Sequence, residues 1–196
     1  PSTPPVAPPQ PPPTEAVGPD ERPPSRALGK PFHRGRLLSG VPFPPDGIDH
    51  FTWDPVLDQS PNRVWRRYGT DRTVHRVLLT LEAFRTAHPD APRVGVGDLS
   101  RPRGGEFGRR FGGLGHASHQ NGLDVDVYYP RRDGVLKAPM KASDVDRRLA
   151  QALVDAFVRA GATDVFVGPS LNLRGPKGVV QELVHHDDHL HARFRP

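Results

Sequence analysis

The spacing of apolar side chains changes along the chain, and each change marks an element. From Thr70 onward, Val74, Val77, Leu78, Leu81 and Phe84 recur at i, i+3, i+4 and i+7, which predicts a helix with Asp71 as its cap and Pro89 as its stop. Arg93–Gly97 (RVGVG) reads as a short strand, and Arg101–Gly115 as a Gly-rich loop. Leu123–Tyr128 (LDVDVY) alternates strictly, so Leu123, Val125 and Val127 face one way and Asp124 and Asp126 the other. A second helix is predicted from Ser143, with Asp146 completing a capping box. Val145, Leu149, Ala152, Leu153, Ala156 and Phe157 turn inward along it, and Gly161 closes it. Asp164–Val167, Val179–Val184 and Leu190–Phe194 are further strands, the last with His191 and Arg193 on its polar side. Residues 32–62 show neither period and are read as an irregular wrap. Two helices and about four strands, out of strict βαβ order, predict an α+β domain.

Composition divides the chain. Residues 1–31 hold 12 of the 25 prolines and few large apolar side chains, too little apolar surface to offset ordering entropy. They are expected to form a disordered, polyproline-like tether ahead of a folded domain at 32–196. Residues 1–24 sum to −2 (Glu15, Asp20, Glu21, Arg22), so the rest carries +7 of the net +5. This positive charge invites a nucleic-acid reading. The arginines are scattered in pairs (Arg66-Arg67, Arg109-Arg110, Arg131-Arg132, Arg147-Arg148) without interleaved aromatics, so no nucleic-acid partner is expected. A basic surface suits an anionic cell wall equally well. No stretch reaches the roughly 18 apolar residues of a membrane span. Zero cysteines exclude disulfides, thiolate metal sites and cysteine nucleophiles. Phosphate-cradling Gly-x-x-x-x-Gly-Lys-Ser/Thr loops and nucleophile elbows are missing.

Six of the ten histidines fall in two clusters, His116-Ala-Ser-His119 and His185-His186-Asp187-Asp188-His189-Leu190-His191. A lone histidine is ordinarily a surface or satisfied core residue, and a carboxylate on a strand's polar face is ordinarily solvated. Two clusters beside strand-borne acids ask for more. Catalytic zinc takes three N/O ligands and leaves a fourth position open. A turn at Asn121-Gly122 can fold His119 back toward Asp126. His189 and His191 share one strand face about 6.6 Å apart, so one can bind metal while the other stands beside it. The iron-oxygenase triad places its first His and its carboxylate one residue apart, and here six residues intervene.

The runs GDLSRPRGG (97–105), GHASHQNGLDVDVYY (115–129) and HHDDHLHARF (185–194) together resemble the penicillin-insensitive murein endopeptidases, within the lysostaphin/D-Ala-D-Ala metallopeptidase group. The likeness spans roughly residues 60–195. It implies a small antiparallel sheet flanked by helices, with zinc on one sheet face. His119, Asp126 and His191 would be zinc ligands and His189 the catalytic histidine. His186 would assist it, and His116 would touch substrate or a second metal. The loop carrying Arg101 and Arg103 would flank the cleft, where either arginine can hold a substrate carboxylate. Asp188 sits three residues before His191, the offset at which related dipeptidases carry a catalytic carboxylate. The implied reaction is hydrolysis of peptidoglycan stem cross-links by metal-activated water, in the periplasm or outside the cell. A D,D-carboxypeptidase or dipeptidase of the same group is one alternative, and a catalytically silent, zinc-containing wall-binding module another. Oligomeric state is left open. The departures are the missing cysteines, which family members often have, and the acidic Asp187-Asp188 filler in the second cluster.

Overall fold

The computed structural model describes residues 23–108 and 116–196; the expectations for residues 1–22 and for 109–115 of the Gly-rich loop lie outside the described residues. A hairpin comes first, β1 (Arg26–Lys30) antiparallel to β2 (His33–Leu38), and the expected domain boundary at residue 32 falls inside it. The segment read as irregular also holds β3 (Val41–Pro42), paired with β5 (Tyr68–Gly69), and β4 (His50–Thr52). These strands are two or three residues long, too short to show alternation.

The first helix, α1, spans Asp71–Ala87 and buries Val74, Val77, Leu81 and Phe84 as the spacing predicts. Its cap is Thr70 and not Asp71. Thr70 is extended and its hydroxyl accepts from the Thr73 N–H at 3.0 Å, while Asp71 lies in the first turn, where a negative charge suits the helix dipole. The second helix, α2, spans Arg147–Arg159 and begins later than expected. Ser143 sits in a separate 3-10 turn (Ala142–Asp144), and Val145 is extended and fully buried. Asp146 is itself the cap, accepting from the Leu149 N–H at 3.0 Å. Gly161, at φ +84°, closes the helix as predicted.

The remaining strands are β6 (Val94–Val96), β7 (Asp124–Tyr128), β8 (Asp164–Val167), β9 (Val180–Glu182) and β10 (His189–Arg193). They join β4 in a six-stranded sheet ordered β4-β6-β7-β10-β8-β9. Its centre, β6-β7-β10-β8, is antiparallel, as expected of the sheet, and parallel pairs add β4 and β9 at its edges. Alternation sorts the two faces. Val94, Val96, Val125, Val127, Val165, Val167, Leu190 and Ala192 share one buried core with Val77, Leu81 and Phe84 of α1 and with Leu153 and Phe157 of α2. Both helices therefore cover the same face. Asp124, Asp126, Tyr128, His189, His191 and Arg193 occupy the other. No described helix is long and apolar enough to cross a membrane.

Candidate metal centre

The register of β7 against β10 sets His191 directly opposite Asp126, His189 opposite Tyr128 and Arg193 opposite Asp124. Two strands thus assemble polar side chains from residues 61 or more positions apart in the chain (128 to 189). This face is not solvated. Asp124 is wholly buried, and Asp126 and His191 are 4% and 5% exposed, with the 116–122 segment packed against this face through His116 and His119.

The turn at Asn121-Gly122 does return His119 to the sheet. His119 has φ +63°, a left-handed backbone that non-glycine residues seldom adopt, and its N–H donates to Asp124 Oδ2 at 2.9 Å. The next residue, Gln120, is pressed from the loop beyond Asp98: a Cβ on Gly104 would stand 2.2 Å from the Gln120 carbonyl oxygen, so only glycine fits there.

Three atoms then converge. Asp126 Oδ1 lies 3.2 Å from His119 Nε2 and 3.1 Å from His191 Nδ1, and the two ring nitrogens are 3.1 Å apart. The far nitrogen of each ring faces an acceptor. His119 Nδ1 donates to the Leu99 carbonyl at 2.6 Å, and His191 Nε2 donates to Asp124 Oδ1 at 3.2 Å. In its neutral form each ring consequently turns a lone pair toward Asp126, whose buried Oδ1 has no other hydrogen-bond partner. Two lone pairs and a carboxylate oxygen facing one another call for a cation. Ligands about 2.0–2.2 Å from a tetrahedral ion stand roughly 3.3–3.5 Å apart, close to the separations here. His116 widens the donor set: it forms with His119 and Asp126 a group whose ligand atoms all lie within 4.8 Å of one another.

Electrostatics follow from that crowding. Burial disfavours the Asp126 carboxylate, but His119 and His189 outweigh it and hold the group well below the usual range. Burial likewise disfavours a charged His191, yet Asp124 and Asp126 push its pKa up to about 9. His189 is raised against burial by Asp126 and Asp188. His186 is lowered by burial, then by neighbouring His189.

The other predicted residues fall at varying distances. His189 Nε2 lies 3.8 Å from Asp126 Oδ1, and its Nδ1 donates to Asp188 Oδ1 at 2.7 Å. Asp188 therefore orients a histidine, while its neighbour Asp187 turns away to accept from the Ser170 N–H and hydroxyl. The His186 ring centroid is 4.7 Å from that of His189, with Nδ1 donating to the Val184 carbonyl at 2.9 Å. His116 Nε2 contacts Asp98 Oδ2 at 2.8 Å, and its Nδ1 lies 3.8 Å from Asp126 Oδ2. Arg101 donates to the Glu106 carbonyl within its own loop, and Arg103 is exposed.

Two residues escaped the sequence reading. Asp124 binds the His119 backbone, the His191 ring and Arg193 Nε at once. Asp98, buried to 1% exposure, accepts from Asn62, Arg66 and His116. Asp124 was signalled, since it shares a strand face with Asp126. Asp98 lay unremarked in the GDLSRPRGG run, where nothing in the spacing distinguishes a buried acid.

The architecture defines an α+β domain whose sheet face opposite α1 and α2 carries a buried carboxylate–imidazole cluster able to hold a metal ion. Residues 32–165 match the family model of the penicillin-insensitive murein endopeptidases, and the chain belongs to that family. The matched residues include His116, His119 and Asp126 and end before His186, His189 and His191. Among individual relatives, the chain is 25% identical over 190 residues to the penicillin-insensitive murein endopeptidase of Yersinia pestis, covering 84% of this chain and 64% of that protein. It is 27% identical over 194 residues to that of Pectobacterium atrosepticum (84% and 63%) and 29% over 189 residues to that of Haemophilus influenzae (83% and 61%). The chain thus spans a little under two thirds of the length of these relatives.

Proposed function

We infer that this domain, residues 32–196, is a zinc-dependent peptidase that hydrolyses the peptide cross-links of murein, acting as a D,D-endopeptidase. The observation that carries the reading is the convergence of His119 Nε2, His191 Nδ1 and the donor-free Asp126 Oδ1 at 3.1–3.2 Å, in a chain of this family. An N2O donor set of this kind suits zinc, with His119, Asp126 and His191 as its ligands. Bound zinc would supply a Lewis acid for the scissile carbonyl and bring the pKa of a coordinated water toward neutrality.

The chain's own residues do the rest. Asp188 fixes the proton of neutral His189 on Nδ1, leaving the Nε2 lone pair directed into the same space as Asp126. His189 takes the proton of the attacking water there and returns it to the leaving amine. His186, kept neutral by burial, stands beside it as a second proton acceptor. His116 contacts the substrate at the cleft, and Arg101 or Arg103 holds a substrate carboxylate. No acyl-enzyme forms, so a β-lactam finds no nucleophile to acylate, and penicillin insensitivity follows from the chemistry. The workplace is the cell envelope, periplasmic or extracellular, with the Pro-rich N-terminal segment as a tether.

The test is metal analysis of the purified protein combined with digestion of murein sacculi before and after chelation. About one zinc per chain, with release of cross-linked muropeptides that stops on chelation and resumes with added zinc, supports the reading. Bound zinc with no released peptide would make the domain a wall-binding module instead.

A further inference from the structure

Phe32 sits at the tip of the β1–β2 hairpin and is 52% exposed, beside the polar cluster. It lines two pockets, of about 330 and 340 Å³, which share Phe32, His116 and Ala117. The first reaches past Phe166 and Leu183 to His186 and His191; the second runs along Phe107 and Gln120. The ring therefore borders both pockets beside His116.

The hairpin is fastened to the site itself. The Pro31 carbonyl accepts from the Gln120 N–H at 3.0 Å, the Gly35 N–H donates to Gln120 Oε1 at 3.2 Å, and Asn121 Nδ2 donates to the Gly29 carbonyl at 3.3 Å. Gly35 has no room for a side chain, since a Cβ would stand 2.5 Å from that of Gln120. All three of these ties end on the two residues that follow His119. Lys30 Nζ and the Arg193 guanidinium each lie 5.8 Å from the Phe32 ring centroid, cationic contacts that hold the ring in place.

Building on the murein-peptidase reading, we propose that Phe32 is a substrate-contact residue, its exposed ring packing on an aliphatic side chain of the cross-linked stem peptide where the two arms of the substrate meet. Two pockets meeting at Phe32 suit a substrate with chain on both sides of the cleaved bond. The ring contributes affinity and takes no part in proton transfer.

The experiment compares wild type with Phe32→Ala, Phe32→Leu and Phe32→Tyr, using a purified cross-linked muropeptide dimer. KM, kcat, zinc content and equilibrium binding by calorimetry of the dimer to the zinc-loaded protein, in the cold, are measured. Covering the exposed half of a phenylalanine predicts that Phe32→Ala raises KM and weakens binding roughly 5- to 10-fold. Its kcat stays within about twofold and its zinc content is unchanged, while Phe32→Tyr retains wild-type affinity and Phe32→Leu lies between. Unchanged KM and binding in Phe32→Ala overturn the proposal, as does a loss confined to kcat or accompanied by loss of zinc. A wild-type protein that binds the dimer through Phe32 without cleaving it keeps the contact and refutes the peptidase reading; one that does not bind it at all refutes both.

Discussion

Asp124 Oδ1 stands 3.2 Å from His191 Nε2, behind the ring whose Nδ1 faces Asp126. Its other oxygen takes the His119 backbone N–H at 2.9 Å, so a single buried carboxylate fixes the His191 imidazole and the backbone that carries His119. Carboxylates that support a ligating histidine in this way typically govern metal affinity by 10–100-fold. Asp124→Asn keeps the shape and removes the charge. Zinc affinity, measured by competition with a chelating dye, is expected to fall by about tenfold or more, and an unchanged affinity would remove Asp124 from the centre's support.

His189 is separable from the proposed zinc ligands. Its Nε2 stays 3.8 Å from Asp126 Oδ1, beyond the tight triangle of the other three atoms. His189→Ala should retain zinc and lose at least about 100-fold in kcat on muropeptides, the scale of a lost acid–base group. His119→Ala, Asp126→Ala and His191→Ala should lose zinc instead. Metal analysis beside kinetics separates the two outcomes, and full activity in His189→Ala would exclude it from the chemistry.

Much of this was legible because two rules of backbone geometry act locally. Period 2 in LDVDVY and LHARF placed Asp126 and His191 on polar strand faces, and period 3.6 placed Val74 to Phe84 on a buried helix face. Pairing of β7 with β10 is not written in either segment, so only the resemblance joined Asp126 and His191 in one ligand set, and their opposition across the sheet is a finding of the structure. The burial of that polar face was also hidden, since it depends on the 116–122 segment packing against it. Asp98 and Asp124 went unassigned for the same reason: their partners Arg66, His116, His119 and His191 come from distant segments. Helix starts slipped because Thr70 and Asp71, or Ser143 and Asp146, are equally good caps until the backbone decides.

Zinc uptake should depend on pH with a definite sign. In the metal-free protein His191 is pushed up to about 9 from an ordinary 6.5, so at neutrality its ring is protonated. That proton stabilises the metal-free fold below pH 6.5, and the contribution disappears as pH rises through about 9. Zinc must displace it. Affinity is therefore expected to rise about tenfold per pH unit on the approach to pH 9 and then level, with about one proton released per zinc near pH 7. Asp126, held well below the usual range, adds nothing to this slope. Calorimetric titration in two buffers of different ionisation enthalpy reads the proton count, and a count of zero would contradict the assignment of His191.

Asp98 presents a different sensitivity. Its side chain and that of Arg66 are both fully buried, joined through Arg66 Nε at 2.7 Å and through a second, closer contact at Oδ2. Burial opposes the carboxylate, but His116 and Arg66 prevail and hold its pKa down. Removing one partner from such a pair costs about 3–5 kcal/mol, because the remaining charge keeps its desolvation penalty without its counter-ion. Asp98→Asn should accordingly lower the melting temperature by about 6–20 °C. The loss should be similar with and without bound zinc, since the contacts among His119, Asp126 and His191 do not pass through the Asp98 side chain. A double-mutant cycle completes the test: Arg66→Met should cost less in the Asp98→Asn background than in the wild type, because the lost attraction is counted only once. Additive losses would mean that the pair is held by its surroundings and not by its charge.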